Sequence, residues 1–114
     1  VYRIRDNEMT LISKDHTDSR ILEAMGINKT PVLLQYLGNG DIGKKTEPFI
    51  SRGKLKSGDI FILCTDGVSD VLGAENIMQA VTGRDVGVAV TEIIGMVKKA
   101  MGADNATVMV IKIK

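Results

Sequence analysis

The 114 residues are enough for one small domain, and a content of 44% hydrophobic and 25% charged residues excludes a disordered chain. The formal net charge is +1, and its basic pairs, Lys44-Lys45 and Lys98-Lys99, are too isolated to predict a nucleic-acid partner. Apolar runs are shorter than a membrane span, and the single Cys64 fits a reducing compartment, so we expect a cytoplasmic protein without a membrane partner.

The N-terminal residues predict a β-hairpin. Val1–Arg5 and Met9–Ile12 are short extended runs, and Asp6-Asn7-Glu8 between them is rich in residues that favour tight turns. The sequence opens within the first of these strands and has no initiator Met, so we expect it to be part of a longer chain.

A short helix and a further strand are predicted next. Asp15–Asp18 offers capping side chains for the helix, and Gly26 favours its end. Thr30-Pro31 favours extended backbone, which predicts a strand over Val32–Leu37. Residues 38–45 are rich in Gly and charge and predict a surface loop.

The middle of the sequence predicts a buried strand. Glu47–Ile50 is a short extended segment, for which Pro48 favours a position at a sheet edge. Leu55–Asp59 predicts a turn that leads into Ile60–Cys64. This last run is continuously apolar, so we expect a strand that is buried on both faces and ends at Asp66-Gly67.

The last third predicts two helices and a strand. Ala74–Val81 and Asp85–Met101 have apolar residues at helical spacing, and Gly102 favours a helix end. Ala106–Ile113 is rich in β-branched residues and predicts a strand. Strands and helices do not alternate regularly, so the order favours an α+β layered fold over a parallel sheet.

Two aspartates stand at predicted strand ends. Asp66 follows the strand Ile60–Cys64, and Asp104 precedes the strand Ala106–Ile113. If these strands are antiparallel neighbours, both carboxylates lie at one end of the sheet, where a hard cation such as Mg²⁺ or Mn²⁺ would relieve their repulsion. Asp-Gly and Asp-Asn are also common turn sequences, so spacing alone leaves both interpretations open.

A nucleotide-binding interpretation is not favoured. Gly38–Gly43 reads G-x-G-x-x-G, and Gly38–Lys44 reads like the front of a P-loop. Both motifs need a helix directly afterwards, whereas Pro48 follows closely, and Lys45 occupies the position of the P-loop Ser or Thr. A Gly-rich surface loop explains these residues better.

The two aspartate motifs resemble those of the metal-dependent serine/threonine protein phosphatases of the 2C or PPM type, in their bacterial form. Phe61–Asp70 is similar to the family's apolar strand that ends in Asp-Gly, and Gly102–Val110 is similar to its closing Gly-x-Asp-Asn strand. Val1–Arg5 with Asp15-His16 resembles the family's preceding hairpin, so the resemblance extends over essentially the whole sequence.

The resemblance implies a layered α/β/β/α sandwich of antiparallel sheets, of which residues 1–114 form the C-terminal portion, with the N-terminal half absent. It implies that Asp66 and Asp104 bind a binuclear Mg²⁺ or Mn²⁺ centre, whose cations orient and deprotonate the water that attacks the phosphorus. Gly67, Asp70 and Asn105 are expected to support the loops around the metals. The resemblance assigns no other catalytic residue to the sequence.

The implied function is the hydrolysis of phosphoserine and phosphothreonine in signalling phosphoproteins by the parent domain. The family's first Asp-Gly motif, its phosphate-binding Arg and its Gly-Asp-Ser-Arg motif would precede Val1, so we expect the isolated chain to be inactive. The alternative is a non-catalytic regulatory or interaction domain derived from this fold. Exposed strand edges, notably Val32–Leu37 and Val108–Ile113, also predict self-association.

Overall fold

A computed structural model describes residues 1–38, 46–100 and 104–114. The chain divides into two compact units, Val1–Ile12 with Arg52–Lys114, and Ser13–Ser51. Within the described residues the elements are, in chain order, β1 (Tyr2–Arg5), β2 (Glu8–Leu11), α1 (Ser19–Ala24), β3 (Ile60–Cys64), α2 (Asp66–Ser69), α3 (Ala74–Val81), α4 (Val86–Lys99) and β4 (Val108–Lys112).

The larger unit is built on an antiparallel sheet with the strand order β2-β1-β3-β4. The predicted hairpin is confirmed, since β1 pairs with β2 through a turn in which Asp6 and Asn7 both have positive φ, 51° and 63°. Two residues in this conformation match the twist of the strands, and Asp and Asn accept it more readily than most side chains. The sheet and helices confirm the α+β class.

The core of the larger unit lies between one face of the sheet and the helices α2, α3 and α4. Ile62 on β3, Ile77 on α3 and Ile93 on α4 are almost completely buried within one apolar cluster. The helices α3 and α4 show the predicted amphipathic pattern, and α4 begins where Asp85 accepts a hydrogen bond from the Gly87 amide at 2.8 Å. The helix ends at Lys99 with Ala100 as its C-cap, which is two residues before the predicted end at Met101. Met101 and Gly102 themselves lie outside the described residues.

The prediction that β3 is buried on both faces is wrong for the described residues. Ile60 and Ile62 are buried, whereas Leu63, the next residue along the strand, is 37% exposed. Successive side chains of a strand point to opposite faces, and in the described residues helices cover only the face that carries the isoleucines. A continuous apolar run therefore predicted the strand correctly but not the burial of its second face.

The smaller unit contains α1 and lacks the strand predicted over Val32–Leu37. The helix is confirmed, and Gly26, with a φ of +66°, follows its end as predicted. Leu33 forms a single antiparallel bridge with Thr17 instead of a ladder, because the chain turns into α1 two residues after Thr17. Apolar composition alone therefore overestimated the length of this pairing.

Two further segments differ from their predictions or lie outside the described residues. Glu47–Ile50 forms no strand pairing with any other described segment, and the Glu47 amide donates a hydrogen bond to Gln35 Oε1 at 2.8 Å. The predicted loop over residues 38–45, with its G-x-G-x-x-G sequence, lies outside the described residues except for Gly38. The four-residue helix α2 was not predicted, because its sequence reads as a turn.

A partly buried ion pair joins the end of β1 to the turn before β3. Asp59 is 1% exposed and accepts hydrogen bonds from Arg5 Nε at 2.7 Å and from Arg5 Nη2 at 2.6 Å. The Lys56 amide donates a third bond to the same carboxylate at 2.8 Å. The Arg5 guanidinium, followed by the Lys56 amide, holds the pKa of the Asp59 carboxyl well below its ordinary value.

This depressed pKa predicts an acid-sensitive contribution to stability. The ion pair stabilises the folded state at pH values above about 4, which is the ordinary pKa of an Asp side chain in an unfolded chain. This contribution to stability is lost as the pH falls below that value, because Asp59 then takes up a proton when the chain unfolds. Asp59→Asn should lower the midpoint of thermal unfolding at pH 7 and flatten its dependence on pH between about 4 and 2. Asp85→Asn is the control, since Asn also caps helices. Equal pH profiles for wild type and Asp59→Asn would show that the ion pair does not act in this way.

Candidate metal-binding end of the sheet

Asp66 lies at the point where β3 passes directly into α2. Thr65 is the N-cap of this helix, with the extended backbone angles φ −80° and ψ 165°, and Asp66 is its first residue. The Asp66 Oδ1 atom accepts a hydrogen bond from the Gly67 amide at 2.9 Å. A carboxylate is favourable in the first turn of a helix, where backbone N–H groups have no partners within the helix. The local structure thus holds Asp66 at the end of the strand with its side chain exposed.

Asp104 lies in the segment that leads into β4. Its Oδ1 atom accepts a hydrogen bond from the Asn105 amide at 2.7 Å. Both residues are exposed. The arrangement resembles that of Asp66 and Gly67, since in each case the carboxylate binds the amide of the residue that follows it.

The two aspartate segments are joined by contacts that we call the strand-end junction, formed by Thr65, Gly67, Asn105 and Thr107. The Thr65 amide donates to Thr107 O at 3.1 Å, and the Thr107 amide donates to Thr65 Oγ1 at 3.1 Å. The Thr65 hydroxyl in turn donates to Asn105 O at 3.3 Å. These bonds extend the β3–β4 pairing, in which Cys64 faces Val108, toward the aspartates.

Gly67 permits the close approach within this junction. It is buried, and an ideal Cβ at this position would lie 3.0 Å from the carbonyl carbon of Asn105 and closer still to its oxygen. Any larger residue therefore requires one of the two segments to move. The prediction that the strands carrying Asp66 and Asp104 are antiparallel neighbours is confirmed, and both aspartates lie at the same end of that strand pair.

The donor set at this end of the sheet suits part of a cation site. In each aspartate the Oδ1 atom accepts a hydrogen bond from the amide of the next residue. Within the described ranges no protein group donates to either Oδ2 atom. Carboxylate oxygens are the ligands that Mg²⁺ and Mn²⁺ prefer. Among the residues that the structure describes, no group of three or more His, Cys, Asp or Glu side chains could hold a metal ion. The two carboxylates therefore fit such a centre but do not complete one.

The remaining predicted residues contribute through their backbones. The Asp70 amide donates to Asp66 O at 2.8 Å at the end of α2, while its side chain is exposed. The backbone carbonyl of Asn105 accepts a hydrogen bond from the Thr65 hydroxyl. Sequence reasoning missed Thr65, although a hydroxyl residue directly before Asp-Gly was a visible signal for an N-cap.

Comparison with known proteins gives matches in sequence and in structure. The chain matches no protein-family model. It is 30% identical over 118 residues to the serine/threonine protein phosphatase PstP of Mycobacterium tuberculosis, a match that covers 96% of this chain and 22% of the relative. The same identity and coverage hold for PstP from a second strain of this organism. The chain thus spans about a fifth of the length of these curated relatives.

Solved structures of serine/threonine phosphatases match nearly the whole chain. The M. tuberculosis phosphatase PstP/Ppp superposes with a TM-score of 0.83 at 28% identity over 99% of this chain and 50% of that chain. The PstP catalytic domain in complex with two manganese ions gives a TM-score of 0.74 at 28% identity, with coverage of 96% and 47%. The PPM phosphatase MsPP from Mycobacterium smegmatis, in complex with cacodylate, gives 0.79 at 30% identity, with coverage of 99% and 51%.

These matches, together with the antiparallel sheet and its helices, define the chain as part of a phosphatase-type α+β domain. In sequence and in fold the chain matches serine/threonine phosphatases, among them the PPM phosphatase MsPP, and it spans about half of the solved chains that it matches. Within the described residues, no helix has the length and apolar character that crossing a membrane requires.

Proposed function

We propose that the chain acts in the metal-dependent hydrolysis of phosphoserine and phosphothreonine in proteins, as the part of a PPM phosphatase that supplies Asp66 and Asp104 as metal ligands. The observation that carries this proposal is the strand-end junction, which brings the two exposed aspartates to one end of the β3–β4 pair. The similarity to PstP and MsPP supports the same activity.

Asp66 and Asp104 would hold Mg²⁺ or Mn²⁺ through the carboxylate oxygens to which the described residues donate no hydrogen bond. The presence of two manganese ions in the related PstP catalytic domain supports a binuclear centre. When bound, the cations supply positive charge that stabilises phosphoryl oxygens and favours the deprotonation of water. Gly67 and Asn105 hold the two aspartate segments together, and Asp70 anchors the end of α2.

We further propose that residues 1–114 are the C-terminal portion of a longer α/β/β/α domain. The sheet face opposite the helices carries the exposed apolar residues Leu63, Met109 and Ile111, which are 37%, 55% and 42% exposed. A second sheet packed on this face would remove these side chains from water. The coverage of about half of the solved phosphatase chains supports the presence of such a sheet in the complete domain.

A non-catalytic regulatory or interaction domain is the less favoured alternative. The relatives at 28–30% identity are described as serine/threonine phosphatases. The substrate implied by that similarity is a phosphoprotein, and the single Cys64 fits the cytoplasm as the compartment of a signalling enzyme. Self-association stays a prediction, for which β4, an outer strand of the described sheet, is the better candidate surface, because Val32–Leu37 is not a strand.

Hydrolysis of p-nitrophenyl phosphate with Mn²⁺ tests the proposed function. We expect the 114-residue chain to hydrolyse this substrate no faster than the metal alone, and to bind Mn²⁺ at about millimolar concentration or more weakly, because two carboxylates complete neither a binuclear centre nor a phosphate site. The longer protein should be active, and Asp66→Asn or Asp104→Asn should reduce its rate by at least about 100-fold, since each change removes a ligand.

Asp85→Asn provides the matched control, because it removes one carboxylate at a helix N-cap where Asn caps equally well. Its rate should equal that of the wild type. Full activity of both Asp66→Asn and Asp104→Asn in the longer protein would contradict the ligand assignment. Metal-dependent turnover by the 114-residue chain, abolished by either substitution, would show that the site lies entirely within this chain.

A further inference from the structure

The Thr65 hydroxyl is not used in the way that its position predicts. Thr is a favoured N-cap residue, because its side-chain oxygen accepts a hydrogen bond from an amide in the first turn of the helix. Thr65 is the N-cap of α2, but its side chain makes no such bond. The Gly67 amide of this first turn instead donates to the Asp66 carboxylate. The hydroxyl is therefore available for another role.

That role is a contact with the segment that carries Asp104. The Thr65 hydroxyl donates to Asn105 O and accepts from the Thr107 amide, at 3.3 and 3.1 Å, and thus binds backbone groups on both sides of Ala106. The Thr65 amide donates to Thr107 O in addition, so both polar backbone groups of Thr107 bind Thr65. Thr65 directly precedes Asp66, and Asn105 directly follows Asp104. One side chain therefore links the residues next to both aspartates.

We infer that Thr65 is a positioning residue, whose hydroxyl fixes the separation of Asp66 and Asp104 and thereby the affinity of the metal site. This inference rests on the proposed function, since it assumes that the two aspartates bind a common cation. Thr65 acts on the two carboxylates only indirectly, through the backbone segments that carry them, and is not itself a metal ligand. Residues that orient metal ligands in this way commonly change metal affinity by about 10- to 100-fold when they are replaced.

The exposure of the junction separates this role from a contribution to folding. Thr65, Asn105 and Thr107 are exposed, so water can replace the hydroxyl in both of its bonds at little cost. The bond from the Thr65 amide to Thr107 O does not depend on the side chain. Loss of the hydroxyl should therefore leave the fold intact while it loosens the Asn105 segment relative to Asp66.

Paramagnetic relaxation by Mn²⁺ alone tests the inference in the ¹⁵N-labelled 114-residue chain. At low Mn²⁺ concentration, the enhanced relaxation of the Asp66 and Asp104 amide protons is proportional to the fraction of protein that has Mn²⁺ bound. The measurement therefore also detects weak binding. Thr65→Val removes the hydroxyl and keeps the shape, and we expect it to reduce the enhancement about tenfold. Thr65→Ser keeps the hydroxyl and should remain within about twofold of the wild type.

Thr91→Val is the control, because it removes a hydroxyl that donates to the Gly87 carbonyl within α4. Its enhancement should equal that of the wild type. Absence of selective enhancement at Asp66 and Asp104 in the wild type would overturn the proposed metal role and the inference with it. Equal enhancement in wild type and Thr65→Val would overturn only the inference. An equal loss in Thr65→Ser, or an unfolded Thr65→Val chain, would also overturn it, since the effect would then arise from packing or folding.

Discussion

Ile62→Ala is expected to lower the free energy of unfolding by about 2–5 kcal/mol, as large-to-small replacements in a packed core do. Ile62 is fully buried on the central strand β3, and its side chain belongs to the cluster that joins the sheet to the helices. Truncation removes apolar contacts and leaves a cavity that the surrounding side chains fill only partly. Since small domains are stable by only about 5–15 kcal/mol, this loss is a large fraction of the total.

Ile111→Ala is the matched control, because Ile111 lies on the neighbouring strand β4 and is 42% exposed. The same chemical change there should cost less than about 1.5 kcal/mol, since much of the side chain is already in water. Urea unfolding followed by far-ultraviolet circular dichroism measures both variants. If Ile62→Ala is unfolded in water, Ile62→Val should be folded and lose about 0.5–1.5 kcal/mol. Equal losses for Ile62→Ala and Ile111→Ala would show that the helices do not cover the Ile62 face of the sheet in solution.

Gly67→Ala is expected to destabilise the chain by about 1–3 kcal/mol, which is the usual cost of forcing an extra carbon into a packed position. The new Cβ would overlap the Asn105 carbonyl, and this backbone group cannot move away without weakening its hydrogen bond from Thr65. The overlap should displace the segment that carries Asp104. Amide chemical shifts of Asn105 and Ala106 should therefore change together with the fall in stability.

Gly95→Ala is the matched control for this change. Gly95 also lies in a helix, but a Cβ at this position in α4 would meet no described atom within 4 Å apart from its chain neighbours and the nearby backbone of its own helix. Alanine is the better helix former, so this variant should gain about 0.5–1 kcal/mol. A Gly67→Ala chain as stable as Gly95→Ala would contradict the close approach of the two segments. Denaturant unfolding of the two variants under identical conditions makes the comparison.

Local sequence signals predicted much of the fold, because they depend on neighbouring residues only. The spacing of apolar residues predicted α3 and the body of α4, and Asp6-Asn7 predicted the hairpin turn. The two Asp motifs predicted the strand ends and, through their resemblance to the PPM phosphatases, the proteins that the chain matches in sequence and fold. Each of these signals is contained within a few consecutive residues, so the sequence alone was enough.

Contacts between distant residues were decided by the tertiary structure. Arg5 and Asp59 lie 54 positions apart, and their pairing follows only from the antiparallel register of β1 and β3. Leu63 has the composition of a core residue, yet its exposure depends on which face of the sheet the helices cover. The Thr65 hydroxyl binds Asn105 and Thr107 rather than its own helix, because the β3–β4 register brings those backbone groups within reach. Hydrogen bonding depends on distance and direction in space, and neither can be read from the order of residues.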